Sequence, residues 1–259
     1  MTFQMWSFGH YVFLLSPFVV TFIFVIAFKD LTHQQKRKVG ILTSILMILL
    51  LIFRNIEIFK RQGYAWDHEL VPFQICHFAN FVLLYAFIKD SKSVFGFALL
   101  FNLPAAFLSI LFADGLQNYD TILSFRGIAY IFGHMLIVST TLWAFIEKFA
   151  VLDRKTYEKT LNITFILFIC AILINNLFRI SGLGASNFFY AYKPENGTPL
   201  ETFFNWGNQI VIGDRFIINP IYLVMLFISG ISLISVMFGL FKAIEKLKVK
   251  QEVLNIQQV

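Results

Sequence analysis

Between Val71 and Phe81 the chain reads VPFQICHFANF, which sets four polar side chains, Gln74, Cys76, His77 and Asn80, at the start of a long apolar run. On a helix Cys76 and Asn80, four apart, share a face, and His77 lies three residues from both Gln74 and Asn80. A cysteine gains the thiolate character of a nucleophile from a nearby histidine or positive charge, but this stretch alone does not say which reaction or which cargo. His77 follows Cys76 directly, and neighbours on a helix point about 100° apart. His134, from another apolar run, is therefore the better base. Polar groups at membrane depth mark a site more often than not.

Other apolar runs bring polar residues to what reads as the same depth. Arg54, Asn55 and Glu57 close the second run, and Asn102 and Pro104 sit within the fourth, where the proline should kink the helix. Arg126, Tyr130 and His134 are spaced by four in the fifth and share one face. Asn175, Asn176 and Arg179 end the sixth; Asp214, Arg215 and Asn219 open the seventh. At 1.5 Å per residue Cys76 lies roughly 8 Å and His134 roughly 12 Å inside the ends of their helices. Arginine forks match phosphate or carboxylate, so Arg54, Arg126, Arg179 and Arg215 are candidates for holding an anionic headgroup. Each group also has a plain structural reading: an inert buried thiol, a satisfied histidine, arginine–carboxylate pairs that make burial tolerable, and asparagines as interhelical glue.

The elements that must position these residues are membrane helices. Hydrophobic residues make up 58% of the chain and charged residues 14%, against about 45–50% and roughly 25% in a soluble domain. Seven runs are long enough to span, at about 11–28, 39–59, 71–88, 94–112, 126–145, 161–180 and 216–241. The expected fold is all-α, one polytopic membrane domain over 1–259; no run alternates with period two, which excludes a barrel. Lysines and arginines crowd the loops after the odd-numbered runs, which puts the N-terminus outside and the C-terminus in the cytoplasm. The net charge of +6 is accounted for by topology and anionic lipid, so no nucleic-acid partner is expected. Cys76 and Cys170 sit in different runs and imply no disulfide; no spaced ligand motif supports a metal, and no cofactor is expected. Residues 181–214 form the longest connection, rich in aromatics, and read as an interfacial belt or a lid.

Pro72 and Cys76 at the start of the third run, Phe132-Gly-His134-Met-Leu-Ile-Val in the fifth, and Asn187-Phe-Phe-Tyr190 followed by Lys193-Pro194 resemble the YwaF-like family of bacterial integral membrane proteins. That family is related to a eukaryotic membrane acyltransferase of ether phospholipids, and the resemblance runs from about Arg54 to Phe204. It implies a polytopic helical fold in a bacterial plasma membrane, a nucleophile at Cys76 and a histidine at His134. Asn187 and Tyr190 join the candidate site on the same ground.

The expectation is a lipid-directed acyltransferase or hydrolase. Cys76 attacks an ester, His134 takes the proton, and the arginines hold the lipid phosphate. Glu57, His77, Asn80, Asn102, Tyr130, Asn175, Asn176, Asp214 and Arg215 complete the substrate-contacting set, with membrane lipid as the partner. A transporter or binding protein for an anionic solute or lipid would use the same pocket, although no inverted repeat or matched pair of broken helices is visible. A seven-span sensor is the third reading.

Overall fold

In a computed structural model, residues 3–257 are described apart from 120, 196, 214 and 215. The described chain holds seven helices long and apolar enough to cross a membrane. They are α1 (Phe8–Ala27), α2 (His33–Arg61), α3 (Ile75–Lys89), a broken fourth span, α6 (Phe125–Ile146), α7 (Arg154–Ile180) and α9 (Pro220–Gln257). The fourth span runs as α4 (Lys92–Phe97), a π-helical turn over Ala98–Asn102, and α5 (Leu103–Leu111). A short α8 (Leu200–Asn205) and a hairpin of β1 (Ile210–Ile212) and β2 (Phe216–Ile218) lie between α7 and α9.

Helix starts follow from side-chain capping. Ser7, Thr32, Ser124 and Asp153 accept the first free backbone N–H groups of α1, α2, α6 and α7, and Thr32 forms a reciprocal box with Gln35. These caps carry α2 and α7 back to His33 and Arg154, well before the expected starts at 39 and 161. The polar first turns are helical but hydropathy does not register them. The seventh span is corrected in the other direction. Residues 216–218 pair antiparallel with 210–212 (Val211 opposite Ile217) around a turn at Gly213, and the helix begins at Pro220. Branched strand formers on both sides of a glycine make a hairpin, and proline suits the first turn of a helix.

The break expected at Pro104 takes the form of the π-helical turn, with the proline in the first turn of α5. This fourth span is the best buried of the seven, and it packs against α6, which also receives α1 and α2. His10 ties α1 to it: Nδ1 accepts the Trp6 N–H (3.0 Å) and Nε2 meets the Ile110 carbonyl (2.9 Å). At the opposite end of the bundle Arg37 donates to the Phe87 and Ile88 carbonyls and so caps α3. Behind this cap Phe87, Phe95, Trp143 and Phe149 form a closed aromatic block, none more than 1% exposed. Gly40 of α2 lets the block come close, since a Cβ there would lie 2.2 Å from Phe87 Cε1. α9 is the least buried of the seven spans and packs on α7 and α8.

Candidate active site

The bundle encloses a cavity of about 840 Å³ between α2, α3, α5, α6, α7, α9 and the α7–α9 connection. Its two ends differ. Arg54, Glu69, Tyr119, Arg126 and Glu195 line one end; Met47, Leu51, Phe101, Ile137, Phe168, Leu226 and Phe227 line the other. α6 runs the length of it. Arg126, Tyr130, His134 and Ile137 all border the cavity, a distance of roughly 16 Å at helical rise. The four-residue spacing therefore sets one face of α6 along the cavity, as expected.

Cys76 and His134 meet where the polar lining gives way to the apolar one. The Cys76 thiol and the His134 imidazole border the same cavity as interacting neighbours, and Cys76 Sγ is 3.7 Å from Ser109 Oγ. His134 Nδ1 lies 2.6 Å from the Tyr130 carbonyl one turn back. A carbonyl oxygen only accepts, so Nδ1 carries the proton and Nε2 keeps its lone pair for the thiol. The Tyr130 ring packs on the imidazole with centroids 4.3 Å apart, and its hydroxyl donates to the Ser109 carbonyl (2.7 Å). α5 and α6 thus fix the base by backbone and ring contacts. The arrangement can take a thiol proton and direct sulfur at an electrophile in the cavity.

At the polar end one carboxylate bridges two arginines. Glu69 Oε2 accepts from Arg54 Nη2 (2.8 Å), and both Glu69 oxygens are 3.2 Å from Arg126 Nη2. Arg54 also donates to Asn55 Oδ1 and the Glu69 carbonyl, both at 2.9 Å. Arg126 lies over the Tyr119 ring, and its Nε is buried with no partner among the described residues. The pair holds more donors than Glu69 uses, which is the property an anion site needs.

Of the residues singled out in the sequence, the cavity gathers Arg54, Cys76, His77, Asn80, Arg126, Tyr130, His134, Asn187 and Tyr190. The others lie elsewhere. Glu57 accepts the Arg126 backbone N–H (3.1 Å) and pairs with Arg61 (2.8 Å), so it anchors the start of α6. Asn102 ends the π-helical turn, and it is Phe101 that borders the cavity. Asn175 brackets Phe188, donating to its carbonyl (3.0 Å) and accepting its N–H (2.8 Å), and also accepts from Ser186 Oγ. Asn176 accepts the Ile217 N–H (2.8 Å) and holds the hairpin to α7. Arg179 stacks on Tyr192, 3.7 Å from the ring centre, outside the cavity. Asp214 and Arg215 lie outside the described residues.

Three features escape sequence reasoning. Ser109 is a polar neighbour of Cys76 from another span, and its only signal is a lone hydroxyl in an apolar run. Phe189 (φ 57°) and Tyr190 (φ 55°) are consecutive left-handed aromatics that line the cavity, a backbone costing about 1–2 kcal/mol per residue, held by the Asn175 and Asn187 bonds. Burial, with Cys76, Glu195 and Tyr222 nearby, pushes the Tyr190 phenol above its usual range, so it stays protonated. Third, a Cβ built on Gly133 or Gly230 meets nothing within 4 Å, and both glycines border the cavity.

The model of the TMEM164 family matches residues 5–238, nearly the whole chain. The chain belongs to the TMEM164 family. No curated protein and no solved structure matches it. As a member of this transmembrane family with seven apolar helices, it is a multi-pass membrane protein. The match covers every residue of the cavity, from Met47 to Leu233, so the candidate site belongs to the part shared with the family. Family membership by itself carries no reaction with it.

Proposed function

We propose that this TMEM164-family member is a membrane-embedded acyltransferase or hydrolase that opens a lipid ester through Cys76 and His134. The observation that carries the reading is the Cys76–His134 pair inside a cavity with a basic end and an apolar end. A lipid ester has that same polarity: an anionic headgroup for Arg54 and Arg126, a carbonyl for the thiol, and a chain for the surfaces of Leu51, Phe101, Ile137 and Phe168. The resemblance to the YwaF-like family and its acyltransferase relative points to the same residues. With the N-terminus outside, as the basic loops require, the site lies in the outer half of the bilayer, in a bacterial plasma membrane on the YwaF-like resemblance. Transport of an anionic solute is the competing reading. The aromatic block at the far end opposes it, because a path to the other face would have to separate Phe87, Phe95, Trp143 and Phe149.

The test is to incubate the purified protein in nanodiscs with a mixed phospholipid extract and to look by peptide mass spectrometry for a hydroxylamine-sensitive acyl group on Cys76. Acyl-Cys76 in the wild type, its absence in His134→Ala, and lost lipid turnover in Cys76→Ser are expected. Full turnover by Cys76→Ser would remove the nucleophile assignment and leave transport or binding ahead.

A further inference from the structure

Four long helices begin with a side-chain cap, whereas α3 begins at Gln74, which makes no cap bond. The first turn of any helix has N–H groups with no partner inside the helix. In α3 the Gln74 carbonyl takes the Phe78 N–H (2.9 Å), and among the described residues nothing in the chain accepts the N–H groups of Cys76 and His77. Such groups buried without a partner are costly unless a ligand or water meets them.

Asn80 supplies a second, independent observation. It is 4% exposed, it borders the same cavity, and its Oδ1 is buried with no partner; among the described residues no hydrogen bond of the chain engages its amide. Helical side chains lean toward the N-terminus, so Asn80 leans over the turn that carries Cys76, with Cβ atoms about 5–6 Å apart. The other end of the amide, Nδ2, is a donor that a carbonyl oxygen in the cavity can meet.

We infer that the N–H groups of Cys76 and His77 and the Asn80 amide form an oxyanion hole for the ester carbonyl that Cys76 attacks, an inference that rests on the acyl-transfer reading above. The thiol proton passes to His134 Nε2 as the S–C bond forms. The carbonyl π pair moves onto oxygen, and the three donors face that oxygen. When the intermediate collapses, the C–O bond to the alcohol breaks, the alcohol oxygen takes the proton from His134, and Cys76 is left as a thioester. Water or a second alcohol then reverses these steps and frees the thiol. Asn80 touches the reacting oxygen and is on this account a catalytic residue.

Two reagents separate this role from simple positioning of the thiol. Acylation by p-nitrophenyl dodecanoate develops an oxyanion; alkylation by iodoacetamide displaces iodide at a saturated carbon and develops none. Both are measured on the protein in phosphatidylcholine nanodiscs, in a Cys170→Ser background. Asn80→Ala should slow the acylation burst by about 10²–10³-fold while iodoacetamide labels Cys76 at the unchanged rate. Gln74→Ser installs a hydroxyl that competes for the same N–H groups, so it should slow the burst at equal or higher thermal stability. Bursts at the wild-type rate in both variants, or acylation and alkylation falling together, would overturn the oxyanion hole alone. No burst in the wild type, with Cys76 still labelled by iodoacetamide, would overturn the acyl-transfer reading and the inference with it.

Discussion

Replacing Gly133, and separately Gly230, with leucine places new carbon where the cavity is empty. Nothing lies within 4 Å of a Cβ at either position, and both border the cavity. The fold should therefore accept the change, and the helix gains up to about 1 kcal/mol of propensity. Each leucine brings four side-chain carbons. If these displace four methylenes of a bound chain, at about 0.8 kcal/mol for each CH₂, the loss is about 3 kcal/mol, or roughly 200-fold. The assay is the acylation burst with p-nitrophenyl esters from butanoate to hexadecanoate, alongside thermal unfolding in detergent. Butanoate should react with the variants as with the wild type, hexadecanoate about two orders of magnitude more slowly, and the thermal midpoint should hold. A chain-length profile identical to that of the wild type would refute the assignment of this space to the acyl chain. An equal loss at every length with a lowered midpoint would show that the glycines serve packing instead.

Gly40→Ala should destabilise by about 1–3 kcal/mol or more, because Phe87 is locked by its aromatic neighbours. Phe87→Leu in the same chain should recover part of the loss in thermal midpoint, and no recovery would place the clash elsewhere. Asn175→Ala leaves the Phe188 N–H and Ser186 Oγ without the acceptor they use, both in residues at 0% exposure, while the Phe188 carbonyl keeps the Ala191 N–H. At about 1–3 kcal/mol for each of these two buried groups, a loss of roughly 2–6 kcal/mol is expected, with faster proteolysis between 183 and 199. Asp153 accepts the Thr156 N–H (2.7 Å), which holds its carboxyl below the usual range. A depressed folded value stabilises above the unfolded one and is lost as the pH falls through it. The thermal-midpoint gap between wild type and Asp153→Ala should thus be full at neutral pH and close in acid; a constant gap would contradict the cap.

The spans were legible because a long apolar run has few alternatives, and Arg126, Tyr130 and His134 were legible as a unit because four-residue spacing needs no tertiary knowledge. What escaped has identifiable causes. Hydropathy cannot see a capped polar turn, so α2 and α7 start at His33 and Arg154. The apolar strand at 216–218 runs on into the seventh apolar run without a break in hydropathy, so the run starts at 216 and the helix at 220. Asn175 and Asn176 are polar and near the right depth, yet loop backbone that the sequence does not place takes their amides, and they brace the Phe188 turn and the hairpin instead. Arg179 failed for a related reason: Tyr192, on a loop whose path no periodicity encodes, takes its guanidinium.

The departures from local rules are not scattered. A π-helical turn puts Phe101 on the cavity, two left-handed aromatics put Phe189 and Tyr190 there, an uncapped helix start puts Cys76 and His77 there, and two glycines with empty space beside them border it. Each costs stability: strain at the aromatics, unmet N–H groups at α3, lost packing at the glycines. A bundle optimised only for packing would have capped α3 with serine, as it does α1 and α6, and filled the space beside Gly133. Such costs persist where the surrounding fold holds them for use. A cavity that served only as a packing fault would have no reason to collect them around the one cysteine that a histidine faces.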